Sequence, residues 1–230
     1  MGAGDGWQAV TAAIAARLSP HGLDIVHPFA VGWFNAGVEA AQRLPDFGRA
    51  DALGVLLGNT RALWEPFRTA YREDTALQAC ADPIDNYVEE RVYDALTPLG
   101  VGSSVWCAHF PRRLAIQRLA DVTGLAPLSA VNLNVHPIYG PWFALRAAVT
   151  LDLAGPSGEA PKTVPSCPDC ARTCMPAFER ARAAQVGKDD IAETWPLWLA
   201  VRDACPVGRA YRYSDEQIRY HYARDRSVLS

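Results

Sequence analysis

The chain has 230 residues, of which half are apolar and a fifth are charged, and its formal net charge is −3. This composition can supply a substantial hydrophobic core and differs from that of disordered chains. No lysine- or arginine-rich block is present, which argues against nucleic-acid binding, and no apolar run reaches the roughly 18 residues of a membrane span. The start lacks the basic and apolar blocks of a signal peptide, so we expect a soluble, cytoplasmic protein with no membrane partner.

The first half of the chain mixes helix and strand signals. Pro28 predicts a sheet edge or a bulge, Thr60 predicts a helix cap, and Asp82 followed by Pro83 is a typical helix start. In chain order, the predicted elements are a helix over 7–18, a β-rich stretch over 23–34, a buried strand over 51–60, and helices over 61–74 and 82–96.

The second half continues this mixture without a strict alternation of strand and helix. The predicted elements are a strand over 101–110, a helix over 111–124 that ends at Gly124, two strands over 128–137 and 142–151 forming a hairpin, a Pro/Gly/Ser-rich linker over 152–166, helices over 176–185 and 191–204, and a last helix capped by Ser214. The order predicts an α+β fold with a largely antiparallel sheet.

Several common catalytic and nucleotide-binding motifs are missing from the sequence. There is no G-x-G-x-x-G after a strand and no phosphate-binding G-x-x-x-x-G-K-[ST] loop. There is also no H-E-x-x-H zinc motif and no G-x-S-x-G nucleophile elbow. The sequence therefore gives no support to these enzyme classes.

A cysteine cluster follows the linker. Cys167, Cys170 and Cys174 have C-x2-C-x3-C-P spacing, similar to the end of a ferredoxin-type run that lacks one cysteine. Cys205, also followed by Pro, is a candidate for the fourth ligand that tetrahedral zinc or an iron–sulfur cluster needs. Metal binding, reduced structural thiols and a disulfide pair are all open, and the spacing does not separate zinc from iron–sulfur.

An unusual corner lies within NVHPIYGPWFALRAAVTL, residues 134–151. Trp142 and Phe143 offer a flat apolar surface, and Gly140 allows a close backbone approach. His136 alone is as well explained by a structural role as by ligand binding. Together these residues favour a site for a large, flat, partly apolar ligand.

Arginines in apolar or aromatic settings form a second group of candidates. Arg146 lies on an otherwise apolar strand, where it must pair with a carboxylate or reach into a cleft. A buried salt bridge with Asp152 or Glu90 is the structural alternative. In residues 211–226, tyrosines alternate with arginines. This pattern is typical of a solvated helix face covered by amphipathic side chains. It is equally typical of an anion-binding rim, because arginine presents a planar fork to carboxylates.

Five blocks of the sequence occur in an order that is typical of one family. They are VHPFAVGWFN, DPIDNYV, HFPRR, VHPIYGPWFALRAAV and RYSDEQ, within roughly residues 23 to 229. In these blocks the chain resembles CblC-type cobalamin-processing proteins, the cyanocobalamin reductase and alkylcobalamin dealkylase family. The resemblance implies a nitroreductase- or flavin-reductase-like fold, with a mixed, largely antiparallel sheet flanked by helices.

The resemblance also implies an activity. Family members bind cobalamin base-off, with its dimethylbenzimidazole tail detached from cobalt, and reductively remove the upper axial ligand. This is decyanation, or dealkylation by a thiol such as glutathione. No catalytic acid or base is assigned, because the reaction is electron transfer or thiolate attack. Residues 1–155 are expected to form an α+β core carrying most of the cobalamin cavity, and residues 156–230 to complete the same domain.

The resemblance also implies which residues of this chain bind cobalamin and the thiol. Those expected to bind cobalamin are His136, Pro137, Tyr139, Gly140, Trp142, Phe143, Arg146 and Tyr213. Those expected to hold glutathione or another thiol are Arg146, Arg202 and Arg226.

Two departures from the family bear on cofactors and partners. The tyrosine-rich insertion of animal members is missing before the His-Pro corner, which argues against flavin use and leaves dimerisation open. The second departure is the cysteine cluster, because of which the chain is similar to epoxyqueuosine reductases, which add iron–sulfur clusters to a related cobalamin-binding core.

Three alternatives therefore stand beside the leading interpretation. One is a cobalamin-dependent reductase of a separate substrate that uses an iron–sulfur cluster. Another is a non-catalytic cobalamin chaperone, and the last is a zinc-stabilised protein unrelated to cobalamin. A reductase or a cobalamin-accepting protein is a candidate partner.

Overall fold

The computed structural model describes residues 6–107, 114–165, 167, 169–185 and 191–230. The chain divides into two compact units: unit 1 comprises residues 1–125 and 144–163, and unit 2 comprises residues 126–143 and 164–230. The assignment of the cobalamin cavity mainly to residues 1–155 stays a prediction. The HFPRR block, residues 109–113, lies outside the described residues.

Unit 1 holds the sheet and the first helices. Its helices are α1 (Gly6–Leu18), α2 (Val31–Asn35), α3 (Trp64–Glu73), α4 (Thr75–Ala79), α5 (Pro83–Leu96) and α6 (Ile116–Val122), and its strands are β1 (Ile25–Ala30), β2 (Ala52–Asn59), β3 (Ser103–Trp106) and β4 (Ala144–Ala154). Unit 2 contains the helices α7 (Cys170–Thr173), α8 (Met175–Ala184), α9 (Ile191–Ala204) and α10 (Asp215–Ala223).

The strands form an antiparallel sheet with the order β1-β2-β4-β3. Every residue of β2 is buried, as its apolar sequence predicts. Pro28 lies on β1, at the edge of the sheet, as the sequence predicts. The predicted α+β fold with a largely antiparallel sheet is confirmed.

Local signals fixed several helix boundaries. Pro83 occupies the first turn of α5 after Asp82, and the Thr60 hydroxyl accepts a hydrogen bond from the backbone of the following turn. The Ser214 side chain caps α10 in the same way, and Gly124, with a φ of 78°, follows the end of α6. These predicted boundaries are confirmed.

The β-rich stretch over residues 23–34 is only partly a strand. It leaves the sheet after Ala30 and continues as α2. The Gly32 N–H donates to the Ala50 carbonyl at 2.8 Å, and a Cβ on Gly32 would lie 2.5 Å from that oxygen. This close backbone contact sets where the strand ends, and apolar periodicity alone does not reveal it.

The predicted hairpin of residues 128–137 and 142–151 is wrong. The first segment forms only the isolated bridges Leu128–Asn134 and His136–Gly140, whereas β4 pairs with β2 and β3. The segment turns back on itself because Asn132 adopts a left-handed φ of 58° and its N–H donates to the Ser129 carbonyl. Residues 126–143 consequently belong to unit 2 and β4 to unit 1.

The core of unit 2 lies where α8 and α9 pack together. Its buried members are Val131, Val135, Cys174, Ala177, Ala181, Val201 and Cys205. Two of the candidate thiols are thus part of this core. Among the described residues, none of the helices has both the length and the hydropathy that a membrane span requires.

Candidate functional site

The backbone of the His-Pro corner closes a tight loop in unit 2. The N–H of His136 donates to the Gly140 carbonyl at 2.9 Å, and the N–H of Gly140 donates back at 2.8 Å. The Nδ1 atom of His136 accepts from the backbone N–H groups of Ile138, at 3.1 Å, and Tyr139, at 3.3 Å. Since Nδ1 accepts, the neutral ring carries its proton on Nε2, which becomes an oriented donor.

Aromatic rings surround this loop. The His136 ring stacks on Tyr139 with centroids 4.5 Å apart, and Phe143 meets the imidazole edge-on at 5.9 Å. Tyr211 approaches Tyr139 edge-on at 4.8 Å. We call residues 136–143, with Tyr211 and Tyr213, the aromatic corner. Its rings fix one another's orientation.

Trp142 and Tyr213 form the buried side of the aromatic corner. Trp142 is 1% exposed and packs edge-on against Tyr213, with ring centroids 5.7 Å apart. The Arg212 guanidinium lies 5.6 Å from the Trp142 ring centroid and pairs with Asp203 at 2.8 Å. Trp142 and Tyr213 therefore support the corner from within the core, and their role in cobalamin binding stays a prediction.

Gly140 is required by the packing of unit 2. It has a φ of 58°, and a Cβ there would lie 1.9 Å from the Val207 carbonyl oxygen. Gly208, with a φ of 72°, makes the reciprocal approach, since its Cβ would lie 2.1 Å from the Tyr139 carbonyl carbon. The close approach predicted for Gly140 is therefore made to backbone of the same unit, and its cofactor-binding role stays a prediction.

The tip of the aromatic corner is accessible. Ile138 is 57% exposed and Pro137 is also exposed, while His136 and Tyr139 are half-buried. An exposed apolar tip beside an oriented imidazole N–H can contact a ligand that has both apolar and amide surfaces.

Arg146 lies in unit 1 at an irregularity of the sheet. Ala147 pairs with Leu57 and Leu145 pairs with Gly58, so Arg146 is the extra residue of a β-bulge in β4. Bulges redirect side chains and are frequent beside functional sites.

The guanidinium of Arg146 is only partly satisfied. Its Nε donates to Asn59 at 2.7 Å and its Nη1 pairs with Asp85 at 3.4 Å. Its Nη2 is buried and has no hydrogen-bond partner within the described residues. A buried donor without a partner costs free energy, which a ligand carboxylate or amide would recover.

The predicted salt bridge of Arg146 with Asp152 or Glu90 is wrong. Asp152 pairs with Arg49 at 3.8 Å, and Glu90 pairs with Arg91 at 3.5 Å. Asp85 reaches Arg146 because it lies in the first turn of α5. The sequence does not reveal which face of that helix meets the bulge.

Arg202 lies at a cavity of about 480 Å³ in unit 2. The walls are largely apolar and aromatic, and include Leu133, Phe178, Trp198 and Tyr222. The Arg202 guanidinium lies 5.9 Å from the Tyr222 ring centroid. Burial raises the pKa of Tyr222, so this phenol stays neutral at physiological pH.

The cavity also holds polar groups without partners. In the described part of the chain, Arg202 makes no side-chain hydrogen bond or ion pair, and the buried indole N–H of Trp198 has no acceptor. Arg182 is a second guanidinium at the cavity wall. An anionic ligand with an apolar portion fits this chemistry. Arg226 is exposed in a turn after α10, and its role stays a prediction.

The four cysteines of the cluster lie in unit 2. Cys174 and Cys205 belong to the same buried cluster as Val135, and Val135 lines a cavity together with Cys167 and Cys170. Burial, followed by repulsion from the neighbouring thiols, raises the pKa of Cys174 to about 12. In the described chain, no group of three or more His, Cys, Asp or Glu side chains is arranged to hold a metal ion as it stands.

Sequence reasoning missed the residues that support the candidates. Asn59 and Asp85 hold Arg146, and Trp198 lines the cavity of Arg202. No spacing rule indicates them, because each acts through a long-range contact. The tyrosine-rich C-terminal segment was the one available signal, and it supplies Tyr211 and Tyr222.

Known proteins resemble the chain over most of its length, although no family model matches it. The cyanocobalamin reductase / alkylcobalamin dealkylase of Bos taurus is 29% identical over 225 residues, which cover 88% of this chain and 74% of that protein. The Homo sapiens protein of the same name is 29% identical over 224 residues, covering 88% and 73%. That of Danio rerio is 27% identical over 218 residues, covering 85% and 81%.

The resemblance to the CblC-type proteins is confirmed. Among solved structures, the B12-trafficking protein CblC of C. elegans matches with a TM-score of 0.69 at 18% identity, over 96% of this chain and 94% of that one. An epoxyqueuosine reductase matches with a TM-score of 0.50 at 12% identity, over 90% and 68%. At these identities the structures establish the CblC-type fold and nothing finer.

Proposed function

We propose that this chain is a CblC-type protein that binds cobalamin and removes its upper axial ligand. The observation that carries the proposal is the similarity, over 85% to 88% of the chain, to proteins named for cyanocobalamin reduction and alkylcobalamin dealkylation. The finer parts of the proposal are base-off binding, the use of a thiol, and a fold related to nitroreductases and flavin reductases. The antiparallel sheet flanked by helices is compatible with that fold relationship.

The aromatic corner is the proposed contact surface for cobalamin. The corrin ring is large and flat and carries amide side chains. Pro137, Ile138 and Tyr139 offer apolar surface, and the oriented Nε2–H of His136 is a donor for an amide carbonyl. Cobalamin supplies its own reactivity, so the protein has to set its coordination and access.

Arg146 of unit 1 and Arg202 of unit 2 are each proposed, separately, as an anchor for an anionic thiol such as glutathione. Each guanidinium has N–H groups that nothing in the described residues accepts, and arginine binds carboxylates in a planar, two-pronged geometry. Arg226 is proposed as a third thiol-binding residue on the basis of the family resemblance alone.

The dealkylation step then needs no protein nucleophile. The thiolate sulfur forms a bond to the alkyl carbon, and the cobalt–carbon electron pair stays with cobalt. The products are a thioether and reduced cobalamin. For decyanation, an electron donor such as a partner reductase reduces cobalt, and cyanide leaves.

A second candidate function is a reductase that retains cobalamin and acts on a separate substrate. The ferredoxin-like spacing of Cys167, Cys170 and Cys174 favours it, because an iron–sulfur cluster would supply electrons to cobalt. Zinc in place of iron and sulfide at these cysteines would exclude this candidate. Retention of cobalamin through many turnovers of another substrate distinguishes this function from removal of the upper ligand.

An optical titration of the purified chain with methylcobalamin and cyanocobalamin tests the binding proposal. We expect a shift of the methylcobalamin spectrum to the base-off form. The control is methylcobinamide, which lacks the lower base and should bind without that shift. If neither cobalamin changes its spectrum, only the fold is shared with the CblC-type proteins.

A further inference from the structure

We infer that Cys167, Cys170, Cys174 and Cys205 of unit 2 form a binding site for a single thiophilic metal ion of the zinc class. We call these four residues the thiol cluster. The inference rests on contacts within unit 2 and does not depend on the proposed cobalamin chemistry.

The four cysteines lie around one buried residue, Val135. Cys174 and Cys205 belong to the same buried cluster as Val135, and Val135 lines a cavity together with Cys167 and Cys170. Electrostatic interactions among the four thiols accompany this arrangement. Around one tetrahedral zinc ion with bonds of about 2.3 Å, neighbouring sulfurs lie roughly 3.8 Å apart, comparable to two thiols in contact. A four-iron cluster would hold the sulfurs farther apart because its own atoms occupy the centre.

The four candidate ligands divide into two that are fixed and two that are accessible. Cys174 and Cys205 are 1% and 2% exposed and packed in the core beside α8 and α9. Cys167 and Cys170 are half-buried and line a cavity of about 260 Å³ with Pro127, Ala130 and Val135. Two ligands are therefore held in place, while an ion can reach the site from the cavity.

A backbone donor meets one of the four sulfurs. The N–H of Val207 donates to the Cys205 sulfur, and the positive charge of Arg209 lies nearby. Hydrogen bonds of this kind orient and stabilise thiolate ligands of metals. The same Val207 packs its carbonyl against Gly140, so the ion would brace the loop that supports the aromatic corner.

As they stand, no group of three or more of the described side chains is arranged to hold an ion. Binding would therefore draw the half-buried thiols of Cys167 and Cys170 toward the buried pair, Cys174 and Cys205. Such closure is common for structural zinc sites, whose binding free energy contributes directly to folding.

The test is elemental analysis of the full chain expressed in zinc-supplemented medium and purified without chelator. We expect about one zinc per chain, with neither iron nor sulfide. The variant Cys205→Ser should lower zinc to below about 0.2 per chain. The matched control Cys80→Ser, which alters a half-buried cysteine of unit 1, should keep the full amount.

A second variant covers the possibility that Cys205→Ser does not fold. Cys167→Ser alters a half-buried ligand outside the core, and it should fold and weaken zinc binding at least tenfold in a chelator competition. The inference is overturned by less than about 0.1 zinc per chain, both as purified and after anaerobic addition of zinc. Stoichiometric iron and sulfide, or a Cys174–Cys205 disulfide seen by mass spectrometry, would overturn it as well.

Discussion

Arg146 and Arg202 are the same residue type and each is a candidate for binding an anionic ligand, yet the two units hold them differently. In unit 1, Arg146 is fixed on a strand bulge by Asn59 and Asp85. In unit 2, Arg202 lies on a helix beside the Tyr222 ring, without an ion pair among the described residues. A fixed guanidinium loses little entropy when it binds a carboxylate, whereas a less restrained one loses more. We therefore expect Arg146 to contribute more to thiol binding than Arg202.

The largest effect on the rate of dealkylation is expected from Arg146→Met. Hydrogen bonds to charged groups contribute about 1.5–3 kcal/mol, so kcat/KM for glutathione in methylcobalamin dealkylation should fall roughly 10- to 100-fold. The readout is loss of the methylcobalamin spectrum at subsaturating glutathione. The control is Arg49→Met, which removes an exposed arginine of the same unit. If the Arg146→Met variant is folded and its kcat/KM is unchanged, Arg146 does not bind the thiol.

The next effect concerns the backbone packing that shapes unit 2. Gly140→Ala should lower the free energy of unfolding by about 3 kcal/mol, because it adds a steric clash with Val207 to the strain of a positive φ. Gly100→Ala, at a φ of 65° with open space around it, should cost only about 1 kcal/mol. If urea unfolding shows the same loss of unfolding free energy for both variants, the contact between Gly140 and Val207 is not made.

A smaller effect is expected from Arg202→Met. The KM for glutathione should rise about tenfold with kcat unchanged, because the arginine binds the thiol before and during reaction alike. Arg180→Met on α8 is the matched control, since Arg180 is exposed and is not among the cavity residues. A fall in kcat with unchanged KM would contradict a binding role.

The smallest effect is a pH dependence that belongs to unit 1. Burial lowers the pKa of His27, and its hydrogen bond with the Thr123 carbonyl offsets this in part. As the pH falls below about 6.5, the unfolded chain binds more protons than the folded one, so stability decreases with falling pH. Urea unfolding at pH 7 and pH 5.5 should show this decrease, and His27→Gln should reduce it. An unchanged pH dependence in the variant would assign the effect to other groups.

The sequence predicted the parts of the molecule that depend on local chemistry. The apolar run of β2, the Asp82-Pro83 start of α5 and the caps at Thr60 and Ser214 all concern residues close in sequence. Such signals do not depend on the rest of the fold. The apolar run around Arg146 likewise predicted its place on a strand, and the Gly140-Pro141 pair predicted the tight corner before that strand.

The remaining features depend on long-range contacts. The partner of Arg146 follows from a bulge in the register of β4 and from the face that α5 presents, neither of which a hydrophobic pattern specifies. The predicted hairpin failed because a left-handed Asn132 turns the chain back on itself. The contact between Gly140 and Val207 joins residues that are far apart in sequence, so no spacing rule predicts it.

The most direct test of the central claim is anaerobic incubation of methylcobalamin and glutathione with and without the protein. Mass spectrometry would follow S-methylglutathione while the optical spectrum follows cobalt. The account predicts protein-dependent formation of one S-methylglutathione for each methylcobalamin lost, with reduced cobalamin as the second product. Base-off binding in which the methyl group persists would contradict the proposed activity and favour a cobalamin chaperone.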